Sequence, residues 1–280
     1  PALLERLSRD ARAARWRGPV VLDEFPCLVL QTPALPSVLQ AWVDREKRQG
    51  GIVLALAGSS QRMMQASILD ASAPLYGRAD EAMRLEPMEF GFVPEVIGPC
   101  SAGAALDFHA CWGGMPRYWE LASPHRGDHR TAVDELVLSP LGPLHDEVDR
   151  LLREEIPSAG SLRPILDAIG SGAHKSSEIA GRLQTPATAI ARPLAQLQHL
   201  GYVRREVPFG EDEKRSKRSL YRLADPFLRL WFKSVAPHRG SLRTATRAAR
   251  IRFLDAVWPQ LRSEAWEELC RQALPRLAPE

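Results

Sequence analysis

Val20-Val21-Leu22-Asp23-Glu24 is the stretch that decides the fold class, because a short apolar run ends here in two adjacent carboxylates. Continuous apolar runs of this length are typical of parallel strands buried on both faces. A second run, Ile52 to Ala57, follows after a helical pattern whose apolar stripe includes Leu39 and Val43. Strand, crossover helix and strand make the unit of a parallel sheet, so the sequence predicts an α/β domain.

Polar side chains follow both predicted strands. Asp23 and Glu24 follow the first, and Gly58-Ser59-Ser60 follows the second. The carboxyl ends of parallel strands share one edge of the sheet, where open α/β sheets bind ligands, so we expect these groups to lie close together. At that edge Asp23 suits a magnesium ion and Glu24 suits the polarisation of an attacking water, while Ser59 and Ser60 are placed to sense a γ-phosphate.

Arg78 is the residue expected to supply positive charge to phosphate oxygens at this edge. The alternative interpretation is an ordinary strand end, in which Ser59 forms a turn and Arg78 makes a surface ion pair. Two strands do not form a stable sheet alone, so the remaining strands are expected to come from residues outside this chain. An incomplete sheet also predicts an exposed edge and poor solubility.

Residues 158–226 have the pattern of a winged helix-turn-helix, with three short helices and a hairpin. Thr185-Pro186 is expected to begin the third helix, in which Pro193 predicts a kink or a later start. The two strand-like runs of the hairpin are Tyr202 to Phe209 and Ser219 to Leu223. In such modules the third helix enters the major groove of DNA.

The same pattern predicts two sets of DNA-contacting residues. Those expected to face the groove from the third helix are Thr188, Arg192, Gln196 and Gln198. The hairpin cations expected to contact phosphates are Arg204, Arg205, Lys214, Arg215, Lys217 and Arg218. Clustered cations on a projecting hairpin suit a polyanion backbone, so DNA is the expected partner. The acidic run Glu211-Asp212-Glu213 favours the alternative, a hairpin that pairs its charges internally and serves protein interactions.

The composition is that of an ordinary globular protein, with 45% hydrophobic and 25% charged residues among 280. A net charge of +3 is too small to indicate nucleic acid by itself. The four cysteines are scattered without a CxxC pair, so a zinc site is not expected and a reducing cytoplasm is the predicted location. No apolar run approaches the roughly 18 residues of a membrane span, so no membrane partner is expected.

The stretch from Gly170 to Ser177 partly resembles a phosphate-binding loop but does not match its sequence pattern. The pattern GxxxxGK followed by Ser or Thr needs a glycine where His174 stands. The stretch also follows a predicted helix, whereas a phosphate-binding loop follows a strand. We therefore expect it to be the turn between the first two helices of the winged helix-turn-helix.

The order of these segments resembles that of the archaeal-type ATPases of the STAND class of P-loop NTPases. The resemblance extends over nearly the whole chain. It rests on Val21-Leu22-Asp23-Glu24-Phe25-Pro26, Ala57-Gly58-Ser59-Ser60 with Met63-Met64, Pro74-Leu75-Tyr76-Gly77-Arg78, Gly113-Gly114-Met115-Pro116-Arg117-Tyr118, Arg204-Arg205-Glu206-Val207-Pro208, Lys217-Arg218-Ser219-Leu220-Tyr221-Arg222-Leu223-Ala224-Asp225-Pro226-Phe227 and Leu230-Trp231-Phe232.

The resemblance implies a partial, AAA-like P-loop NTPase sheet followed by a helical lid and a winged helix-turn-helix, mostly helical overall. The implied domains are the second half of the ATPase core (1–98), the lid (99–157), the winged helix-turn-helix (158–226) and the start of a nuclease-like domain (227–280). It makes Asp23 and Glu24 the Walker B pair, Ser59 and Ser60 the sensor position, and Trp266 to Cys270 the first nuclease-like helix. The residues implied near the nucleotide are Gly113, Gly114 and Pro116.

The resemblance also implies ATP and Mg²⁺ as cofactors. Nothing before Val20 matches the family's phosphate-binding loop, the source of its main phosphate donors. We therefore expect this chain alone to bind ATP weakly, and to take part in hydrolysis only when a Walker A segment is supplied upstream. A completing N-terminal segment or a homo-oligomer is expected as partner. The alternative function is a non-catalytic winged-helix DNA-binding regulator or a protein-interaction module.

Overall fold

A computed structural model describes residues 2–16, 18–48, 52–59, 61–155, 159–208, 210–212, 216 and 218–277. The chain is mostly helical and divides into two compact units, Pro1–Arg84 and Leu85–Glu280. The finer division into residues 1–98, 99–157, 158–226 and 227–280 stays a prediction.

The first unit contains a parallel pair of strands. Its elements in chain order are α1 (Ala2–Ala13), β1 (Pro19–Leu22), α2 (Phe25–Gln31), α3 (Leu35–Arg48), β2 (Val53–Leu56) and α4 (Gln61–Met64), which continues as a π turn over Gln65–Leu69. In the register of β1 and β2, Pro19 lies opposite Val53 and Leu22 lies opposite Leu56. The predicted parallel pair with a helical crossover is therefore confirmed, although the crossover contains two helices and β2 is shorter than the run from Ile52 to Ala57.

The two faces of this sheet differ in burial. Leu22 and Leu54 pack against the core formed by Phe25, Leu39, Trp42 and Leu75. On the other face Val21 is 57% exposed and Val53 is 60% exposed. The expectation that continuous apolar runs mark burial on both faces is therefore wrong for these strands, whose apolar side chains also point towards solvent.

A buried polar cluster joins α1 to α3. The Trp42 Nε1–H donates to Ser8 Oγ (2.8 Å), and the Ser8 hydroxyl donates to Glu46 Oε1 (2.8 Å). Arg12 adds an ion pair to the same carboxylate at 2.8 Å. Glu46 is only 2% exposed, and burying its charge is tolerated because these donors satisfy it.

The second unit begins with a group of short helices. These are α5 (Val93–Ile97), α6 (Ala102–Trp112), α7 (Pro116–Ala122), α8 (His129–Val133), which continues as a π turn over Asp134–Leu138, and α9 (Glu147–Glu155). Phe108, Trp112 and Trp119 are almost completely buried in their core. The predicted mostly helical character of this part of the chain is confirmed.

Three helices and an antiparallel hairpin follow. They are α10 (Ala159–Gly170), α11 (Ser176–Arg182), α12 (Ala187–His199), β3 (Val203–Glu206) and β4 (Leu220–Leu223). Val203 lies opposite Leu223 and Glu206 lies opposite Leu220. Pro186 is the N-cap of α12, which continues through Pro193 without a break. Residues 171–175 form the turn between α10 and α11, as predicted for the stretch that partly resembles a phosphate-binding loop.

The chain then passes through α13 (Pro226–Ser234) and α14 (Arg239–Leu242) into the long helix α15 (Arg247–Leu277). Phe227 and Trp231 of α13 are completely buried, and Trp231 Nε1–H donates to the carbonyl of His145 (2.7 Å). α15 packs against α6 and α13. The helical character predicted for the C-terminal part of the chain is confirmed over the described residues.

Candidate functional site

Two exposed carboxylates follow β1 in a tight turn. Asp23 Oδ1 accepts a hydrogen bond from the backbone N–H of Glu24 (2.9 Å). Glu24 is in the left-handed region, with φ 47° and ψ 41°. Few residues other than glycine adopt this conformation, which costs roughly 1–3 kcal/mol. The backbone on either side is fixed, because Ala57 N–H donates to Leu22 O (3.0 Å) and Phe25 N–H donates to Ala57 O (2.9 Å).

Ser59 connects the ends of the two strands. Its hydroxyl donates to Glu24 Oε2 at 3.2 Å, and the Sγ atom of Cys27 lies 4.0 Å from the same oxygen. The structure thus places Asp23, Glu24 and Ser59 together at one edge of the sheet. Ser60, the other predicted sensor residue, lies outside the described residues.

Gly58 allows β2 to leave the sheet in close contact with its neighbours. A Cβ atom at this position would lie 2.5 Å from Pro26 Cδ and 2.8 Å from Met64 Sδ. These distances are shorter than side chains tolerate, so a larger residue would push α2 or α4 away. The sequence showed Gly58 only as the residue that follows the second strand, and this packing role depends on contacts that no local pattern carries.

Arg78 is engaged by another carboxylate of the first unit. Its guanidinium donates to both oxygens of Asp44 on α3, at 2.9 and 3.0 Å. The hydrogen bonds from Arg78 lower the pKa of Asp44 below its usual range. The Nη1 atom also donates to the carbonyl of Pro74 (3.1 Å). The structure thus shows Arg78 in an ion pair with Asp44, which was the alternative interpretation of this residue. A role for Arg78 at phosphate oxygens would require this ion pair to break.

Gly113, Gly114 and Pro116 form the tight turn between α6 and α7. Gly113 has φ 55°, and a Cβ atom there would lie 2.9 Å from Asp225 Oδ2. The carbonyl of Gly114 accepts from the N–H of Met88 (2.8 Å). Pro116 begins α7, where its missing N–H costs no helical hydrogen bond. Close packing against Asp225 and Met88 therefore explains why the turn needs glycine.

Asp225 is a partly buried carboxylate beside this turn, and no sequence pattern assigned it a role. Burial raises its pKa to about 6, although the backbone N–H of Leu228 and the charge of Arg229 oppose the shift. Its Oδ1 atom accepts from Leu228 N–H (3.1 Å) and so caps α13. In the sequence it reads only as an ordinary N-cap before Pro226, because local spacing does not reveal burial.

The predicted groove-facing residues lie on α12 with different exposures. Thr188 and Arg192 are exposed, whereas Gln196 and Gln198 are partly buried. Among the described residues, Arg192 has no ion-pair partner. α12 therefore presents, near its middle, a positive charge that no described carboxylate pairs with.

The described hairpin cations are all engaged within the protein. Arg204 pairs with Glu206 (3.0 Å) and with Glu268 of α15. Arg205 donates to Ser219 Oγ (2.7 Å) and to the carbonyl of Ser216 (2.8 Å). Arg218 pairs with Glu211 (3.1 Å), although its side chain is 77% exposed. Lys214, Arg215 and Lys217 lie outside the described residues.

The described part of the chain contains no group of three or more His, Cys, Asp and Glu side chains arranged to hold a metal ion. In that same part, no helix combines the length and the apolar character needed to cross a bilayer.

No protein-family model matches the chain. An uncharacterized protein of Methanocaldococcus jannaschii is 26% identical over 223 residues, which are 80% of this chain and 50% of that protein. The solved structure of the Walker-type ATPase of Pyrococcus abyssi matches with a TM-score of 0.53 and 20% identity, over 76% of this chain and 62% of that one.

The chain thus spans half the length of the curated relative and less than two thirds of the solved ATPase. At 20% identity the structural match shows the fold alone. The architecture described above is therefore that of a P-loop ATPase-like fold, in which the small parallel sheet carries Asp23, Glu24 and Ser59 at its carboxyl end.

Proposed function

We propose that this chain is part of a DNA-associated P-loop ATPase of the archaeal-type STAND class and supplies the Walker B half of its nucleotide site. The observation that carries the proposal is the hydrogen bond between Ser59 and Glu24, 3.2 Å long, at the carboxyl ends of two paired parallel strands. Open α/β sheets bind ligands at that edge. The fold shared with a Walker-type ATPase supports the same assignment.

The residues at this edge fit a magnesium nucleotide. Mg²⁺ usually takes one or two protein carboxylates and completes its shell with water and phosphate oxygens, so Asp23 suffices as its ligand. Glu24 would orient and polarise the attacking water, and Ser59 would hold the Glu24 carboxylate in place. The magnesium ion would supply charge neutralisation to the phosphate groups.

The phosphate-binding loop is the part that this chain does not contain. No GxxxxGK stretch followed by Ser or Thr occurs in the 280 residues, and Lys175 lies in a turn between two helices. We propose that a separate segment supplies this loop and packs near the exposed apolar face that carries Val21 and Val53. The chain alone is expected to bind ATP more weakly than micromolar, and tight binding in a titration with labelled nucleotide and magnesium would contradict this.

ATP hydrolysis by the product of the complete reading frame tests the proposal. Glu24→Gln should lower kcat about 100-fold because the general base is lost, while nucleotide binding persists. Asp23→Asn should raise the magnesium concentration needed for half-maximal rate. The control is Glu81→Gln, an exposed carboxylate of the same unit, which should leave the rate unchanged. A complete product without magnesium-dependent hydrolysis would overturn the ATPase proposal.

The DNA-binding part of the proposal assigns residues 158–226 to a winged helix-turn-helix. The order of α10, α11, α12 and the β3–β4 hairpin supports it, as does the exposed Arg192 on α12. In this arrangement α12 enters the major groove with Thr188, Arg192 and Gln196, and the hairpin meets the backbone. The lid near Gly113, the nuclease-like C-terminal domain and the cytoplasmic location stay predictions.

The internal pairing of the hairpin cations favours a second candidate, a protein-interaction module. Fluorescence anisotropy with labelled duplex DNA at increasing salt separates the two. Arg192→Gln should weaken DNA binding by about 1–3 kcal/mol and relax the preference among duplex sequences. Arg252→Gln, an exposed arginine of α15, is the control and should leave both unchanged. If no duplex binds at low ionic strength, the DNA-binding proposal is wrong and the interaction module is favoured.

A further inference from the structure

A small cleft lies where the hairpin and α13 meet the acidic part of α15. Its charged lining residues are Arg204, Arg222, Arg229 and Lys233 on one wall and Glu264 and Glu267 of α15 on the other. The first wall, which we call the basic wall, combines two arginines of the hairpin with two cations of α13. The proposed function makes no use of Arg222, Arg229 or Lys233.

α15 places carboxylates against this basic wall. Glu268 pairs with both Arg204 and Arg229, whose side chains are 25% and 6% exposed. Glu264 pairs with Lys233 at 3.3 Å, and both of these side chains are less than 15% exposed. Ion pairs so shielded from water are stronger than exposed ones. Leu261 and Ala265 of α15 are also buried, so α15 closes the cleft through both ion pairs and apolar packing.

The remaining contacts leave the basic wall with excess positive charge. Glu206 accepts from Arg204 (3.0 Å) and Arg222 (2.9 Å) on the hairpin, and also from Arg271 of α15 (3.0 Å). Without α15, the described carboxylates that face the four cations of the basic wall would be Glu206 and, beside Arg229, Asp225. The excess is two positive charges, and α15 offsets it with Glu264 and Glu268, because Glu267 pairs with Arg271 of the same helix.

We propose that the basic wall binds the phosphate backbone of duplex DNA, and that the carboxylates of α15 occupy it in this structure as an internal competitor. Guanidinium groups bind carboxylate and phosphate oxygens with the same paired hydrogen bonds, so the two anions exclude each other. DNA reaches Arg204 and Arg222 only when the C-terminal half of α15 moves away. The inference rests on the proposed DNA-binding function and adds its regulation.

The test compares variants that remove different ion pairs from α15. Glu268→Gln alone leaves the buried Arg229 charge unpaired and endangers folding. The variant to be tested is therefore the double substitution Arg229→Gln and Glu268→Gln. It removes the ion pair between these two residues and also the ion pair between Glu268 and Arg204. The matched control is Arg130→Gln with Asp255→Asn, which removes a 2.9 Å pair between α8 and the same helix. Thermal unfolding confirms that each variant is folded before DNA binding is measured.

Anisotropy with labelled duplex DNA should show about fivefold tighter binding for the Arg229→Gln, Glu268→Gln variant. Its salt slope should steepen by about 0.9, one additional phosphate contact, with no change in the control. Adding Arg204→Gln to this double variant should reverse the gain in DNA affinity. In the native sequence, Arg204→Gln should weaken DNA binding less than about twofold. DNA binding that is equal in all variants would overturn the inference and leave the proposed function intact. No DNA binding by any variant would overturn both.

Discussion

Glu24 combines an unfavourable backbone conformation with a carboxylate at the proposed nucleotide site. Its φ of 47° lies in the region that side chains other than glycine seldom adopt. A residue that is retained there for chemistry stores a small amount of strain. We therefore expect that Glu24 lowers the free energy of unfolding of the protein relative to glycine at the same position.

Glu24→Gly should raise the free energy of unfolding by about 1 kcal/mol relative to Glu24→Ala, because glycine relieves the left-handed conformation. Both substitutions remove the carboxylate, so the difference between their free energies of unfolding reports the backbone strain at this position. Urea unfolding followed by circular dichroism measures it. Equal stability of the two variants would show that the turn is not strained.

Asp225 is expected to make stability depend on pH. Burial raises its pKa from 3.8 to about 6 in the folded protein, so the folded state holds its proton more tightly than the unfolded state. This contribution is present below about pH 4 and is lost as the pH rises through about 6, a change of about 3 kcal/mol. Asp225→Asn keeps a cap for α13 and removes the titration.

The measurement is urea unfolding of both proteins at pH 4.5 and pH 7. The stability of the native protein minus that of Asp225→Asn should fall as the pH rises. A difference that stays constant between these pH values would contradict the raised pKa.

At the scale of elements, local periodicity predicted most of the fold. The runs around Val21 and Leu54 became paired strands, and the patterns of α10, α11 and α12 became helices in the predicted order. The sequence pattern did not predict α2, because it indicated only the helix with Leu39 and Val43 between the two strands. Proline is compatible with the first turn of a helix, where its missing N–H costs nothing, so the local signal was ambiguous.

The candidate site was predictable only in part. Adjacent carboxylates after one strand and a serine after the next are local signals, and the structure places Asp23, Glu24 and Ser59 together. The pairing of Arg204 with Glu268 joins residues 64 positions apart. Such pairs depend on the packing of α15 against the rest of the second unit, which no spacing rule predicts.

α12 is expected to be less stable than its length suggests. Pro193 lies inside the helix and has no N–H to donate to the carbonyl of Ala189. Pro193→Ala should raise the free energy of unfolding by roughly 1–3 kcal/mol, because the helix regains a hydrogen bond. The increase is reduced because proline restricts the unfolded chain and alanine does not. Pro186→Ala is the control, because the N-cap position gains no helical hydrogen bond. Destabilisation by Pro193→Ala in urea unfolding would contradict this.

At the scale of the whole molecule, the chain divides after Arg84. Residues 81–87 are exposed and belong to no helix or strand. Proteases cut such segments first, so limited trypsin treatment should produce an early fragment that begins at Leu85. Mass spectrometry identifies it, and Arg84→Gln should delay its appearance. A first cut within α6 or α13 would contradict the two-unit division.

The central claim is that the carboxyl ends of β1 and β2 form one catalytic site through Ser59 and Glu24. The most direct measurement is kcat for ATP hydrolysis by the complete reading-frame product, with Ser59→Ala made in the native sequence and in Glu24→Gln. Ser59→Ala should lower kcat about tenfold in the native sequence and leave it unchanged when Glu24 is already replaced. Equal losses in both backgrounds would contradict the claim, because Ser59 would then act without Glu24.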